Sequence, residues 1–125
     1  MAKILIVEDN DTILNLLKTL LELEGYQVFL AVEEKAIIQS LSQVSPDLVL
    51  LDIHLRTDNG TEVSGYEILE YIRRTPEFKN IRVLMTSGID LREQALKAGA
   101  DGFILKPYIP DELVNSIRVH IKQVT

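Results

Sequence analysis

The sequence predicts an α/β domain in which helices cover both faces of a parallel β-sheet. Short, continuously apolar runs alternate along the 125 residues with segments whose apolar residues recur at helical spacing. The run at residues 48–51 is apolar at every position and ends in Asp52, which is typical of a strand buried on both faces. Because parallel strands need crossover connections, the alternation βαβαβαβαβα favours a doubly wound sheet.

Each element can be placed by its apolar pattern and by the residues that end it. The strands are predicted at Lys3–Val7, at 26–31, at Leu48–Asp52, at 81–85 and at Gly102–Leu105. The strand at 26–31 is the most polar, so we expect it at an edge of the sheet. The helices are predicted from an Asn10–Asp11 cap to Glu24, over 33–44, over Gly65–Arg74, over 90–98 and from Pro110 onward. Gly25, Pro46, Pro76 and Gly99 separate them.

Composition narrows the range of functions. A net charge of −6 argues against a nucleic-acid surface. The sequence also lacks a block of basic residues that could bind an anionic membrane. The absence of cysteine excludes disulfides and thiolate metal sites. No apolar run approaches the ~20 residues that span a bilayer, and the first residues lack a secretory cleavage pattern. We therefore expect one cytoplasmic domain over residues 1–125, with no sign of an attached output domain.

Polar side chains follow four of the predicted strands. Glu8 and Asp9 follow the first, Asp52 ends the third, Thr86 follows the fourth and Lys106 follows the fifth. The carboxyl ends of parallel strands meet at one edge of a sheet, so these groups should converge. Three carboxylates cannot all ionise cheaply without a partner. A hard divalent cation with oxygen ligands, Mg²⁺ or Mn²⁺, is the natural one.

This set of groups suits phosphoryl transfer. The Asp52 carboxylate can attack phosphorus to give an aspartyl phosphate, while cations offset the charge on the transferred oxygens. Lys106 supplies a compact positive charge, and the Thr86 hydroxyl can donate a hydrogen bond to an anionic oxygen.

These motifs resemble those of the receiver domain of two-component response regulators, and the resemblance covers essentially the whole chain. It is carried by Lys-Ile-Leu-Ile-Val-Glu-Asp at 3–9, Asp-Leu-Val-Leu-Leu-Asp at 47–52, Thr-Ser at 86–87 and Lys-Pro-Tyr at 106–108. The segments 65–69 and 98–103 are also similar to the family. The resemblance implies a flavodoxin-like three-layer αβα sandwich with sheet order 2-1-3-4-5.

The resemblance also implies roles for the acidic residues. Asp52 would be phosphorylated by a histidine kinase or a histidine phosphotransfer protein. Asp9 and Asp52 would bind Mg²⁺ directly, together with the backbone carbonyl of His54. Glu8 would act on the metal through water.

The remaining roles concern the response to phosphorylation. Lys106 would pair with the phosphoryl group, Thr86 would move to hydrogen-bond it, and Phe103 would follow by swinging inward. The Lys106–Pro107 peptide is expected to be cis. The partner surface would include the fourth helix, the last strand and the last helix. The downstream target or fused effector is not specified, and a phosphorylation-dependent dimer is possible.

The segment after Asp52 departs from the family. Arg56 occupies a place where the family often has proline, and Gly65 rather than Gly60 fits the start of the third helix. We expect an insertion of about five residues in the loop 56–64, since exposed loops absorb length at little free-energy cost.

Simpler interpretations stay open for individual residues. Glu8 and Asp9 could cap a helix, Thr86 could merely end a strand, Lys106 could be a surface charge, Phe103 could be plain core, and His54 could bind a transition metal. Our leading hypothesis is a phosphorylation-dependent signalling domain that is not an enzyme. The rivals are a phosphorylation-independent pseudo-receiver that binds partners and a small metal-dependent phosphohydrolase.

Overall fold

A computed structural model describes residues 2–56 and 60–122 of the chain. The elements in chain order are β1 Lys3–Val7, α1 Asp11–Leu23, β2 Gln27–Ala31, α2 Glu34–Val44, β3 Leu48–Asp52, β4 His54–Arg56, β5 Glu62–Ser64, α3 Gly65–Arg74, β6 Arg82–Ser87, α4 Arg92–Ala98, β7 Gly102–Leu105 and α5 Pro110–Lys122. Asn10 caps α1, as predicted, because its side chain accepts a hydrogen bond from the Ile13 amide at 3.0 Å.

The main sheet is parallel and has five strands in the order β2-β1-β3-β6-β7. If these five strands are numbered by themselves, the order is the predicted 2-1-3-4-5. The central strand β3 is buried at all five positions, and β2 lies at an edge. The continuous apolar run of β3 is therefore explained by helices on both faces of the sheet.

Two apolar cores separate the sheet from its two helical layers. Along β1, Ile4 and Ile6 face the core beneath α1 and α5, whereas Leu5 and Val7 face the core beneath α2, α3 and α4. This alternation is the period of a strand with both faces covered. The architecture is the predicted three-layer αβα sandwich. Across the described parts of the chain, no helix is both long and apolar enough to cross a membrane.

The structure corrects the predicted ends of β6 and the region after Asp52. Strand β6 extends through Ser87, so Thr86 lies within the strand rather than after it. Residues 62–64 of the predicted loop 56–64 form strand β5. This strand pairs antiparallel with β4, with Leu55 opposite Val63. The middle of that loop, 57–59, lies outside the described residues. Helix α3 begins at Gly65 as predicted, and the Lys106–Pro107 peptide is cis.

Arg73 near the end of α3 contacts two connections on one side of the domain. Its guanidinium donates hydrogen bonds to the carbonyls of Ile81, Gly99 and Lys79 at 2.6, 2.9 and 3.0 Å. It also forms an ion pair with Asp101 at 2.8 Å. Two of these partners lie in the connection between α3 and β6, and the other two lie in the connection between α4 and β7. The planar guanidinium can serve all of them at once because its donors form a fixed fork.

We expect Arg73→Ala to lower the free energy of unfolding by about 2 kcal/mol, because partly buried carbonyls and a carboxylate lose a charged donor. Arg74→Ala is the matched control, since Arg74 is exposed and its contacts are an ion pair with Glu70 at 3.7 Å and the face of the Tyr71 ring, 6.0 Å from the ring centre. It should cost less than about 1 kcal/mol. Urea unfolding of both variants measures the difference, and equal losses would contradict the role of Arg73.

Candidate functional site

The carboxyl ends of four parallel strands bring the predicted groups to one edge of the sheet. Glu8 and Asp9 directly follow β1, Asp52 is the last residue of β3, and Lys106 directly follows β7. Thr86 lies on β6 beside Asp52, because the two residues are partners in the strand register. The convergence predicted for these residues is what the fold produces.

Lys106 lies between two buried carboxylates. Its Nζ is 2.7 Å from Asp52 Oδ2 and 2.8 Å from Glu8 Oε1. Glu8 is 1% exposed and Asp52 is 5% exposed, whereas the lysine side chain is 21% exposed. Charged groups this deep are held only when paired and hydrogen-bonded, so the three residues form one unit.

Backbone amides satisfy the other oxygens of the acids. The His54 N–H donates to Asp52 Oδ1 at 3.0 Å, and the Arg56 N–H donates to Asp9 Oδ2 at 2.8 Å. The Asp9 N–H donates to Glu8 Oε2 at 3.1 Å. Uncharged backbone donors thus orient all three carboxylates, in addition to the Lys106 ammonium group that contacts Glu8 and Asp52.

Glu8, Asp9 and Asp52 form a group that could hold a cation. Each offers one carboxylate oxygen, and these oxygens all lie within 4.8 Å of one another. The cluster carries up to three negative charges, of which Lys106 offsets one. An all-oxygen donor set with residual negative charge fits Mg²⁺ or Mn²⁺. The exposed His54 side chain is not in this group, which gives no support to a transition-metal site.

The crowding of charge shifts the pKa of two members of the site. Burial, and then Asp52, raise the pKa of Glu8 while Lys106 lowers it, and the net pKa is about 7. Burial alone lowers the pKa of Lys106, but the hydrogen bonds to Asp52 and Glu8 outweigh it and place the pKa above its ordinary range. Lys106 therefore stays protonated at neutral pH.

Two residues predicted to respond to phosphorylation are buried. Thr86 is fully buried, and its hydroxyl has no hydrogen bond of ordinary geometry to any described residue. The Tyr108 ring lies nearby, and burial raises the pKa of Tyr108 to about 12 while Thr86 opposes part of the rise. Phe103 is 4% exposed in the core, with the Arg92 guanidinium 5.8 Å from its ring centre. The switch roles of Thr86 and Phe103 stay predictions.

Gly65 permits a close approach that sequence reasoning did not anticipate. A Cβ at this position would collide with the Asp52 carbonyl oxygen and lie 2.9 Å from the Ile53 Cα. The Gly65 N–H donates to the Ile53 carbonyl at 2.7 Å. The only signal in the sequence is a glycine at the start of α3, so the need for a missing side chain is visible only once the backbones are placed.

The fold and the acid cluster together define the class of phosphoacceptor signalling domains. The family model described as the response regulator receiver domain matches residues 4–118. The chain belongs to this family, which confirms the resemblance, the fold class and a phosphoacceptor function in two-component signalling.

Relatives agree with this assignment. The transcriptional regulatory protein CpxR of Escherichia coli is 36% identical over 124 residues, which are 98% of this chain and 50% of CpxR. The chain spans about half the length of the curated relatives it matches. The CheY-like response regulator receiver domain protein of Methanospirillum hungatei has a TM-score of 0.85 and 31% identity, over 98% of this chain and 95% of that one.

A third comparison concerns fold alone. The receiver domain of a sensor histidine kinase from Pseudomonas aeruginosa, whose crystal structure has a magnesium ion coordinated in the active site cleft, has a TM-score of 0.82 and 22% identity. The alignment covers 97% of this chain and 98% of that one.

We expect Gly65→Ala to destabilise the protein by about 1–3 kcal/mol, because the added methyl group must push α3 away from the end of β3. Gly88→Ala is the control, since no described atom lies within 4 Å of a Cβ there and the backbone is not left-handed. Thermal or urea unfolding compares the two. A neutral Gly65→Ala would mean that α3 can shift freely.

The raised pKa of Glu8 predicts a pH dependence of stability in metal-free protein. The folded state holds a proton on Glu8 up to about pH 7, whereas the unfolded chain releases it near 4.5. The free energy of unfolding should therefore fall as pH rises between these values.

Glu8→Gln should remove that component of the pH dependence. Urea unfolding in a chelator at several pH values measures it in both proteins, and the carboxyl carbon resonance of Glu8 reports the midpoint directly. A midpoint near 4.5 would contradict the prediction.

Proposed function

We propose that this receiver domain works as a switch in which Asp52 accepts a phosphoryl group from a histidine kinase or a histidine phosphotransfer protein. One observation carries the proposal: Asp52 is the acid that both Lys106 and the β4 backbone contact, at 2.7 and 3.0 Å. Its carboxylate is thereby oriented at the edge of the sheet, in contact with the positive charge that a phosphoryl group would need.

We infer a Mg²⁺ site, with Mn²⁺ as a substitute, formed by Glu8, Asp9, Asp52 and the backbone carbonyl of His54. The support is the donor set, in which three carboxylate oxygens lie close together beside a single ammonium group. The same cation is coordinated in the cleft of the Pseudomonas receiver domain. When bound, it would offset the negative charge that accumulates as phosphoryl oxygens approach the acids.

The transfer step is a displacement at phosphorus. An Asp52 oxygen forms a P–O bond while the P–N bond to the donor imidazole breaks, and the departing imidazole takes up a proton. Lys106 then exchanges a carboxylate contact for the phosphoryl oxygens. In this proposal Asp52 keeps the phosphoryl group as the signal, whereas in an enzyme that turns over a diffusing substrate it would be released in every cycle.

We infer that Thr86 senses the phosphoryl group on Asp52. The buried Thr86 hydroxyl has no hydrogen bond of ordinary geometry within the described residues, and a phosphoryl oxygen on the adjacent Asp52 would supply an acceptor. Movement of Thr86 toward it would leave space for Phe103 beside β6. The equilibrium between two conformations would shift by the difference in their affinity for the phosphoryl group.

The output surface that we infer comprises α4, β7 and α5. Leu96 of α4, Leu105 of β7 and Ile109, just before α5, are exposed there. A protein target, a fused effector or a second phosphorylated copy could bind it.

We infer no direct contact with nucleic acid or membrane, given the net charge of −6. A single receiver domain over residues 1–125 and a cytoplasmic location stay predictions.

Incubation with Mg²⁺ and acetyl phosphate, followed by intact-protein mass spectrometry, should reveal one added phosphoryl group. Asp52→Asn should abolish it, because an amide is not a nucleophile of the required kind. Asp111→Asn removes an exposed acid at the start of α5 and should leave it unchanged. Phosphorylation of Asp52→Asn, or sustained hydrolysis of added phosphomonoesters by the unchanged protein, would contradict the proposal.

A further inference from the structure

The strand β4 turns two backbone amides toward the acid cluster. The amides of His54 and Arg56 donate to Asp52 and Asp9, at 3.0 and 2.8 Å. Residues two apart in an extended strand direct their amides to the same side. All three residues of β4 have partners in β5, with Leu55 opposite Val63. Because successive amides point to opposite edges of a strand, the edge that carries the His54 and Arg56 amides faces the acids, and the other edge faces β5.

Several contacts hold β4 in this place. The Leu55 side chain is 2% exposed and packs in the core on the α3 side of the sheet. At the far end, Arg56 forms an ion pair with Glu62 at 3.0 Å, but both side chains are more than half exposed, so this pair contributes little. The backbone arrangement, rather than the arginine side chain, places the amide on Asp9.

We propose that the hairpin formed by β4 and β5 is a positioning element for the metal site, in which the Arg56 amide holds Asp9 in the orientation that a divalent cation needs. This inference rests on the proposed function. Asp9 is only partly buried, so without the amide its carboxylate could rotate. A hydrogen bond to Oδ2 leaves Oδ1 available to a cation and removes that freedom. Partners of this kind typically change metal affinity by about 10–100-fold.

A consequence is that the hairpin and the bound cation should stabilise each other. If the ordered hairpin strengthens cation binding, the bound cation must stabilise the ordered hairpin by the same factor. The Arg56 amide should therefore exchange its hydrogen more slowly when Mg²⁺ is added.

The test compares two substitutions at one position. Arg56→Pro removes the amide hydrogen, whereas Arg56→Ala keeps it and removes the side chain with its ion pair to Glu62. By calorimetry with Mg²⁺, Arg56→Pro should raise the dissociation constant by about tenfold or more. Arg56→Ala should change it by less than about twofold. Equal dissociation constants for the two variants would overturn the inference.

A second measurement needs no variant, in case Arg56→Pro disrupts the hairpin as judged by circular dichroism and unfolding. Hydrogen exchange of the unchanged protein, followed by NMR, should show slower exchange of the Arg56 amide at saturating Mg²⁺. An unchanged rate would overturn the inference while leaving the metal site intact. Absence of any Mg²⁺ binding to the unchanged protein would instead contradict the proposed function, and this inference with it.

Discussion

The contact of Lys106 with Asp52 and Glu8 is the interaction on which the acidic edge of the sheet depends. Two buried carboxylates this close repel one another and lose most of their hydration. The ammonium group, at 2.7 and 2.8 Å, is the only positive side chain that the described residues place against them. Burial keeps the pKa of Glu8 near 7 even though Lys106 opposes the rise, and the hydrogen bonds to Asp52 and Glu8 keep the lysine charged.

Much of the fold could be predicted because its signals are local. Apolar runs, helical spacing and breaking residues specify strands and helices without reference to distant residues, and α3 begins at Gly65 as the sequence indicated. The convergence of Glu8, Asp52 and Lys106 was predictable for a different reason. Once the sheet is parallel, topology alone brings the carboxyl ends of its strands together.

The features that could not be predicted from the sequence depend on contacts that leave no pattern in it. The Arg56 amide donates to Asp9, but every residue except proline has such an amide. The identity of the residue at this position therefore does not predict the contact. Arg73 likewise looks like any basic residue near a helix end, and only the three-dimensional arrangement shows that it gathers the carbonyls of Ile81, Gly99 and Lys79. The β4–β5 hairpin was hidden because its strands have three residues each, too few for a clear alternation.

The ion pair between Glu8 and Lys106 joins residues that are 98 positions apart. Lys106 directly follows β7, the last strand, so its contacts with Glu8 and Asp52 can form only after every strand of the sheet is in place. A chain that lacks its last strand therefore keeps all three acids but loses the positive charge placed against Glu8 and Asp52.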